Sequence, residues 1–368
     1  MTGRPTAVTA AVLRDPAGPL ELVELELAPP RADEVVVRLV STGICGTDLE
    51  FRSMMTPPVV LGHEGAGIVE QVGEGVTDLA VGDPVAMTFA FCGECGPCRA
   101  DAMAYCENFW AYNFIGTRPD GSTALSQDGE PVHGHFLGQS SFATHVVARR
   151  GSVVKVPEGT DLGVVGPFGC GFQTGAGGVL NVLRPAPGSS IGVFGAGAVG
   201  AAAILGAVEA GCTTIVAVDV NPAKLEQARA LGATHTVAAG EPDLAERVRA
   251  EVPGGLQYSL DTTGRADVLR AAVESLAPLG VCGVIGVGAS AEMSFEWRSI
   301  LGTGRSVVGI TAGASVPQEF LPRLVELHRA GRFPVDGLLT HYPFTEVNRA
   351  LDDVRAGRVG KAVLTFDA

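Results

Sequence analysis

The pattern of apolar and polar positions changes after Val156. Before that point, short runs in which apolar and polar residues alternate are separated by turns rich in Gly and Pro, as in Glu34–Val40, Gly67–Val72 and Phe142–Val147. Such alternation predicts strands with one buried face, and the apolar stretch Thr6–Leu13 with the acidic alternation after it predicts a further strand pair. The first part of the chain is therefore expected to form a barrel-like β domain with long loops.

From about residue 190 to residue 313, nearly continuous apolar segments alternate with helical patterns. The predicted strands are Ile191–Gly195, Thr214–Val220, Thr234–Ala238, Tyr258–Asp261, Val281–Gly288 and Ser306–Thr311. The clearest helical patterns between them are Pro222–Leu231, Asp243–Glu251 and Ala266–Ala277. Six apolar strands separated by helices predict an α/β fold with a parallel sheet covered on both faces, doubly wound as in dinucleotide-binding domains.

The tail of the chain carries two amphipathic helical patterns and a final strand. The helices are predicted at Phe320–Ala330 and Thr345–Ala356, and the strand at Lys361–Phe366. Periodicity predicts these elements but does not assign them to either part of the chain.

Composition and charge narrow the class of protein. The chain has 368 residues, of which 46% are hydrophobic and 18% charged, as expected for folded domains rather than for a disordered chain. Its 26 Lys and Arg against 40 Asp and Glu give a net charge of −14, which repels nucleic acids and anionic membranes. No run approaches the roughly 18 apolar residues of a membrane span, so we expect a cytoplasmic protein that binds neither nucleic acid nor membrane.

A glycine-rich segment follows the first strand of the second part. It has the spacing GxGxxG and leads into an apolar helical run. The residues expected to contact the cofactor phosphates are Gly195, Gly197, Ala198, Val199 and Gly200. Asp219 ends the next strand, where a carboxylate would bind the ribose hydroxyls and repel a 2′-phosphate. The segment therefore predicts NAD rather than NADP. The alternative is an ordinary turn followed by a surface carboxylate.

Four of the eight cysteines are clustered, at Cys92, Cys95, Cys98 and Cys106. Zinc accepts four thiolates in a closed tetrahedral set that leaves no position for water, so this loop predicts a structural zinc site. Disulfides or free thiols are the alternative, and a reducing compartment disfavours the disulfides.

Three further candidate ligands are dispersed, so their spacing cannot identify them. Cys45 lies in GICGTD, His63 in GHEGAG and Cys170 in GPFGCGFQTGAGG. Two thiolates and one imidazole would leave a fourth position of zinc open to substrate, with Thr47 and Glu64 nearby. Taken singly, each Cys also fits a small buried apolar side chain, and the His fits a hydrogen-bonded core residue.

Together these segments resemble the zinc-dependent medium-chain alcohol dehydrogenases. GICGTD, GHEGAGIVEQVGEGV, the four-cysteine loop, GCGFQTGAG and GAGAVG occur in that family's order and spacing over essentially the whole chain. FLGQSSFATHVV, GPFGCGFQTGAGGVLN and GAGAVGAAAILGA are most similar to the aryl- (benzyl-) alcohol dehydrogenases. The resemblance implies a GroES-like catalytic domain at 1–170, a six-stranded Rossmann domain at 171–314 and a tail at 315–368 that returns to the catalytic domain.

The resemblance also implies roles at the metal site. Catalytic zinc would be held by Cys45, His63 and Cys170. Asp48 would orient the ligand histidine, Glu64 would lie just behind the ligands, and Thr47 would receive the alcohol proton. Members with a full proton relay have His where this chain has Glu50. Either Glu50 is the terminal base, or the proton leaves through the ribose hydroxyl to water.

The same resemblance implies the remaining contacts. Besides the glycine-rich segment and Asp219, the expected cofactor residues are Thr174, Lys224, Val287, Gly288 and Lys361. The expected substrate pocket consists of Thr47, Phe136, Leu137 and Trp110.

The sequence thus predicts a homodimer or homotetramer with two zinc ions per chain that oxidises aryl or allylic primary alcohols to aldehydes, reversibly, with NAD. Alternatives within the family are a thiol-adduct (formaldehyde) dehydrogenase and another alcohol or polyol dehydrogenase. A thiol-adduct enzyme needs cations for the thiol's carboxylates, and the stretch Phe109–Phe114 has none. A non-catalytic NAD-binding protein would be expected to lack a zinc ligand, and all seven positions are filled.

Overall fold

A computed structural model describes residues 5–240, 242–288 and 292–367 of the chain. These residues fall into two units. The first comprises the chain up to Cys170 together with Val316–Glu326 and the residues from Asp336 onward; the second comprises Gly171–Ser315 and Leu327–Val335. The described part of the chain contains no helix that is both long and apolar enough to span a membrane.

The first unit is built on two largely antiparallel sheets. One has the strand order 4-1-2-7-8 and consists of β1 (Thr6–Leu13), β2 (Leu20–Leu27), β4 (Val59–Val60), β7 (Leu125–Gln127) and β8 (Glu130–Val132). The other has the order 10-6-5-3-18-17, with β9 also pairing β3, and consists of β3 (Glu34–Gly43), β5 (Gly65–Val72), β6 (Pro84–Met87), β9 (His145–Arg149), β10 (Val153–Lys155), β17 (Leu339–Pro343) and β18 (Lys361–Thr365). The predicted pair at the start of the chain is confirmed, because β1 and β2 pair antiparallel along their whole length.

The helices of the first unit are short except in the tail. They are α1 (Gly46–Glu50), α2 (Gly96–Arg99), α3 (Phe109–Asn113) and α11 (Val347–Arg355), together with the first part of α10 (Pro317–Arg329). Alternate residues of β3, among them Val35, Val37 and Leu39, enter a closed apolar core. This packing fixes the end of β3, from which the chain leads directly into α1.

The second unit contains a six-stranded sheet in which every pair is parallel. Its order is 13-12-11-14-15-16, and its strands are β11 (Ser190–Phe194), β12 (Thr214–Asp219), β13 (His235–Ala238), β14 (Leu256–Asp261), β15 (Leu276–Val284) and β16 (Ser306–Gly309). The helices are α4 (Gly171–Gly177), α5 (Ala198–Glu209), α6 (Pro222–Ala230), α7 (Leu244–Glu251), α8 (Ala266–Glu274) and α9 (Trp297–Leu301). Apolar clusters cover both faces of the sheet, which confirms the predicted doubly wound fold.

The largest boundary difference lies between α8 and β15. The apolar pattern predicted a helix through Ala277 and a strand from Val281 to Gly288, whereas the helix ends at Glu274 and the strand begins at Leu276. Leu276 pairs with Leu256 of β14, ahead of an irregularity in the register. Pairing between distant residues set this boundary, and local periodicity does not contain that information.

The tail is divided between the units. Its final strand, β18, pairs antiparallel with β3 and parallel with β17, both in the first unit. The segment Leu327–Val335 belongs to the second unit, whereas the resemblance implied that the whole tail returns to the catalytic domain.

Candidate active site

Four potential metal ligands from three separate segments converge in the first unit. Cys45 stands between β3 and α1, His63 and Glu64 directly precede β5, and Cys170 follows the 3-10 turn Gly166–Gly169. One donor atom from each of the four lies within 4.8 Å of the others. The structure therefore brings together the three dispersed ligands that the sequence suggested, with Glu64 beside them.

Asp48 holds the imidazole of His63 in a defined orientation. Its Oδ1 lies 3.0 Å from His63 Nδ1 and accepts the N–H of Gly62 at 3.1 Å, while its Oδ2 accepts the N–H of Cys45 at 2.9 Å. His63 Nε2 is buried and has no hydrogen-bond partner among the described residues. An oriented imidazole with its second nitrogen unpaired suits a metal ligand.

The electrostatics of the cluster also suit a cation. Burial lowers the pKa of His63, but Asp48 and Cys45 raise it to about 10. A hydrogen bond from Cys170 holds the pKa of Cys45 well below its usual range, although burial opposes this. Surroundings that favour a protonated imidazole next to a thiolate equally attract a metal ion, and thiolate is the form of Cys that binds zinc. The donor set therefore fits a three-ligand zinc site with an open position.

Lys361, which the resemblance implies as a cofactor residue, lies in this cluster beside Glu64. Its Nζ donates to Glu64 Oε1 at 2.6 Å and to the carbonyl of Ile44 at 3.0 Å, and the side chain is buried. Burial lowers the pKa of Lys361, but the negative charge of Glu64 raises it above its usual value overall. These contacts are to two groups, and an ammonium has three N–H donors, so the cofactor contact of Lys361 stays a prediction. The sequence could not reveal the contact between Lys361 and Glu64, because the two residues are 297 positions apart.

Helix α1 presents the expected proton-transfer residues. Thr47 Oγ1 lies 3.6 Å from Cys45 Sγ. Glu50 is the last residue of the helix, and its side chain is partly exposed to solvent. The burial of the remainder, and the negative charge of Cys45, raise the pKa of Glu50. Residues three positions apart share one face of a helix, so Thr47 and Glu50 lie on the same side of α1.

The expected substrate-pocket residues differ in exposure. Phe136 packs its edge against the ring of His63 at 5.6 Å and is fully buried, so its place in the pocket wall stays a prediction. Leu137 retains a small exposed surface, and Trp110 is 54% exposed. Two rings that were not among the expected pocket residues, Phe51 and Phe114, stack on each other at 4.5 Å, and Phe114 packs edge-on against Phe136 at 6.0 Å.

The clustered cysteines form a second group of potential ligands. Cys92 Sγ lies 3.9 Å from Cys98 Sγ, and Cys95 Sγ lies 3.9 Å from Cys106 Sγ. Sulfurs bound tetrahedrally at 2.3 Å would be about 3.8 Å apart, so the spacing fits a closed four-thiolate site. Burial raises the pKa of Cys92, but the backbone N–H groups of Glu94 and Cys95 lower it to about 6. All four thiols are free of disulfide bonds.

The glycine-rich segment lies at the carboxyl end of β11 in the second unit. Gly195 has φ +94°, and a Cβ at Gly200 would stand 1.8 Å from the carbonyl oxygen of Gly195. Gly197 caps the start of α5, and nothing lies within 4 Å of where its Cβ would be. This open space in front of a twelve-residue helix fits a pyrophosphate.

Asp219 lies beside this segment and borders a cavity of about 830 Å³. Its Oδ2 accepts the N–H of Ala196 at 2.7 Å and its Oδ1 that of Asn221 at 2.8 Å, which leaves each oxygen a further lone pair for a ribose hydroxyl. The cavity is bordered by two guanidinium groups, those of Arg265 and Arg270, and by five carboxylates, those of Asp219, Asp243, Glu246, Asp267 and Glu274. This excess of negative charge disfavours an additional phosphate.

The other expected cofactor residues also lie in the second unit. Thr174 is on α4, and Lys224 is on α6 but does not border the cavity in the described part of the chain. In the segment that follows β15, Val287 is exposed and Gly288 packs closely against the backbone of Gly264.

Comparison with known proteins agrees with this geometry. The family model for the alcohol dehydrogenase GroES-like domain matches residues 31–158, and that for zinc-binding dehydrogenases matches residues 198–328. The chain is 41% identical to a geraniol dehydrogenase of Castellaniella defragrans, over 97% of each chain. It is 45% identical to a zinc-binding-domain alcohol dehydrogenase protein of Burkholderia ambifaria, with a TM-score of 0.97 over 99% of this chain and 100% of that one. It is 38% identical to the benzyl alcohol dehydrogenase of Acinetobacter calcoaceticus, with a TM-score of 0.95 over 98% of this chain and 100% of that one.

The fold, the metal-binding geometry and these matches define the class of protein. The chain belongs to the zinc-binding medium-chain alcohol dehydrogenases. It is therefore an oxidoreductase of alcohols.

Proposed function

We propose that this protein catalyses the reversible, NAD-linked oxidation of aryl or allylic primary alcohols to aldehydes. The observation that carries the proposal is the cluster of Cys45, His63 and Cys170, in which His63 Nε2 is unpaired and aromatic rings pack on one side. Zinc bound by these residues would act as a Lewis acid that lowers the pKa of the alcohol hydroxyl. NAD would supply the hydride acceptor.

The chain's own residues orient the reactants and move the proton. Asp48 fixes the imidazole of His63, and buried Lys361 balances the charge of Glu64 behind the thiolates. The hydroxyl of Thr47 would accept the alcohol proton and pass it toward Glu50, the last residue of α1. Each residue therefore has either a positioning role or a proton-transfer role.

The preference for NAD is supported by Asp219 and by the five carboxylates around its cavity. Carboxylate oxygens accept the two ribose hydroxyls, whereas a 2′-phosphate at the same place would meet like charge. A second zinc ion in the loop of Cys92, Cys95, Cys98 and Cys106 is part of the same proposal and would be structural.

The aryl or allylic preference is supported by the apolar rings beside the metal site. Removing apolar surface from water contributes about 25 cal/mol per Å², so a phenyl or prenyl group binds more favourably than ethyl. Polyol hydroxyls would be buried there without partners. The benzyl alcohol and geraniol dehydrogenases among the relatives agree with this preference.

Steady-state kinetics test the proposal. We expect kcat/KM for benzyl alcohol and geraniol to exceed that for ethanol by at least about tenfold, with NAD far more efficient than NADP. Sorbitol and the formaldehyde adduct of glutathione, which represent the alternatives, should be poor substrates. Equal efficiency with ethanol or sorbitol, or with NADP, would contradict the proposal.

A further inference from the structure

An aromatic cluster in the first unit extends from the metal site to the protein surface. Phe136 packs edge-on against His63, and Phe114 packs edge-on against Phe136 at 6.0 Å. Phe51 stacks on Phe114 at 4.5 Å with an interplanar angle of 23°. Trp110 lies 4.8 Å from Phe114 and 6.2 Å from Phe51. The rings thus form a continuous series, with Phe114 in contact with three of the others.

Exposure increases along this series with distance from His63. Phe136 is fully buried, Phe51 and Phe114 are half-buried, and Trp110 is 54% exposed. Two apolar neighbours in the chain are also exposed, Met54 at 60% and Ile115 at 49%. The exposed part of this series is joined to the candidate metal ligands through the buried ring of Phe136. Such an apolar surface is expected to bind an apolar ligand, because leaving it in water costs free energy.

We propose that Phe51, Phe114 and Trp110 bind the apolar tail of the substrate and make the enzyme select allylic alcohols by tail length. This rests on the proposed function, because the alcohol group would lie at the metal site. A benzyl ring is too short to extend past the inner rings. An isoprenoid chain such as that of geraniol or farnesol extends farther and would reach Trp110. The outermost ring should therefore matter only for long substrates.

Trp110 is the informative position to change, because an exposed side chain can be removed at little risk to folding. We expect Trp110→Ala to lower kcat/KM about tenfold for farnesol and severalfold for geraniol, and less than about twofold for benzyl alcohol and ethanol. Trp110→Phe should retain most of the efficiency with long alcohols, because a ring remains. Trp297→Ala is the matched control: it removes the only other tryptophan, which is 64% exposed in the second unit, and should leave the ratios unchanged.

The control variant also provides a readout independent of catalysis. In Trp297→Ala, Trp110 is the only tryptophan, so its fluorescence reports directly on what binds there. Farnesyl methyl ether, which has no reactive hydroxyl, should shift the emission saturably, and benzyl methyl ether should not.

The outcomes separate the two proposals. A wild-type enzyme that oxidises none of these alcohols contradicts the proposed function. An active enzyme in which Trp110→Ala lowers kcat/KM equally for every alcohol, or for none, overturns the tail-binding inference alone. Fluorescence that does not respond to the farnesyl ether overturns it as well.

Discussion

At the scale of single residues, Asp48 connects the segments that carry two of the potential metal ligands. It accepts hydrogen bonds from the backbone of Cys45 and Gly62 and contacts the imidazole of His63. We predict that Asp48→Asn lowers zinc affinity at this site about 10–100-fold, because the ligand loses its orienting charge. Zinc content after dialysis against graded chelator measures the effect.

The four-cysteine loop is the internal control in that experiment, because Asp48 makes none of its contacts. One zinc ion per chain should remain bound to the variant under conditions in which the wild type keeps two. Wild-type zinc retention by Asp48→Asn would show that the carboxylate is not needed to orient His63.

Glu50 distinguishes the two routes for the proton. The pKa of Glu50 is raised by partial burial and by Cys45, so a base at this position loses activity as the pH falls through that raised pKa. We expect Glu50→Gln to lower kcat and to remove this acidic limb from the pH profile of kcat. A variant whose pH profile coincides with that of the wild type would assign the proton exit to the ribose hydroxyl and water instead.

At the scale of elements, a buried ion pair attaches the loop after α3 to the start of β3. Arg118 donates to both carboxylate oxygens of Glu34, at 2.6 and 2.8 Å, and both side chains are buried. We predict that Arg118→Ala destabilises the protein by about 3–5 kcal/mol, because it leaves a buried carboxylate unpaired. Urea denaturation measures this. Arg355→Ala, which removes an exposed pair with Asp352, should cost less than about 1 kcal/mol.

The same pair gives a pH dependence with a defined sign. Burial raises the pKa of Glu34, but Arg118 and the N–H of Arg31 lower it below its usual value overall. A carboxylate whose pKa is lower in the folded state contributes stability above its unfolded pKa and loses it as the pH falls through the folded value. The difference in stability between wild type and Glu34→Gln should therefore shrink below about pH 4.5. A difference independent of pH would contradict this account.

At the scale of the whole molecule, β16 is an outer strand of the parallel sheet and bears on the predicted homo-oligomer. Its Val307 is 39% exposed, and Leu279, close to it in the sheet, is 79% exposed. An uncharged edge with exposed apolar residues can pair with the same edge of a second copy. We predict that Val307→Lys lowers the molar mass measured by light scattering toward that of one chain.

Val81→Lys is the control for that substitution, because Val81 is also exposed but belongs to the first unit. It should leave the molar mass unchanged. A monomeric wild type, or a Val307→Lys variant with wild-type mass, would contradict assembly through β16.

The sequence alone determined the fold class, most element boundaries in the second unit and the family. The structure of a run such as Ile191–Gly195 can be predicted from its local sequence, because a buried parallel strand needs continuous apolar residues and a pyrophosphate-binding turn needs glycine. The clustered cysteines could be grouped for the same reason, since their spacing within one loop already restricts the geometry.

Tertiary structure decided everything that depends on residues distant in the chain. Lys361 reaches Glu64 only because β18 pairs with β3. Likewise, only the packing shows that Phe136 is fully buried whereas Phe51 and Phe114 are half-buried. The convergence of Cys45, His63 and Cys170 likewise has no signature in spacing. Periodicity reports which face of an element is buried, whereas a site depends on which elements meet, and that is fixed by the packing of the folded chain.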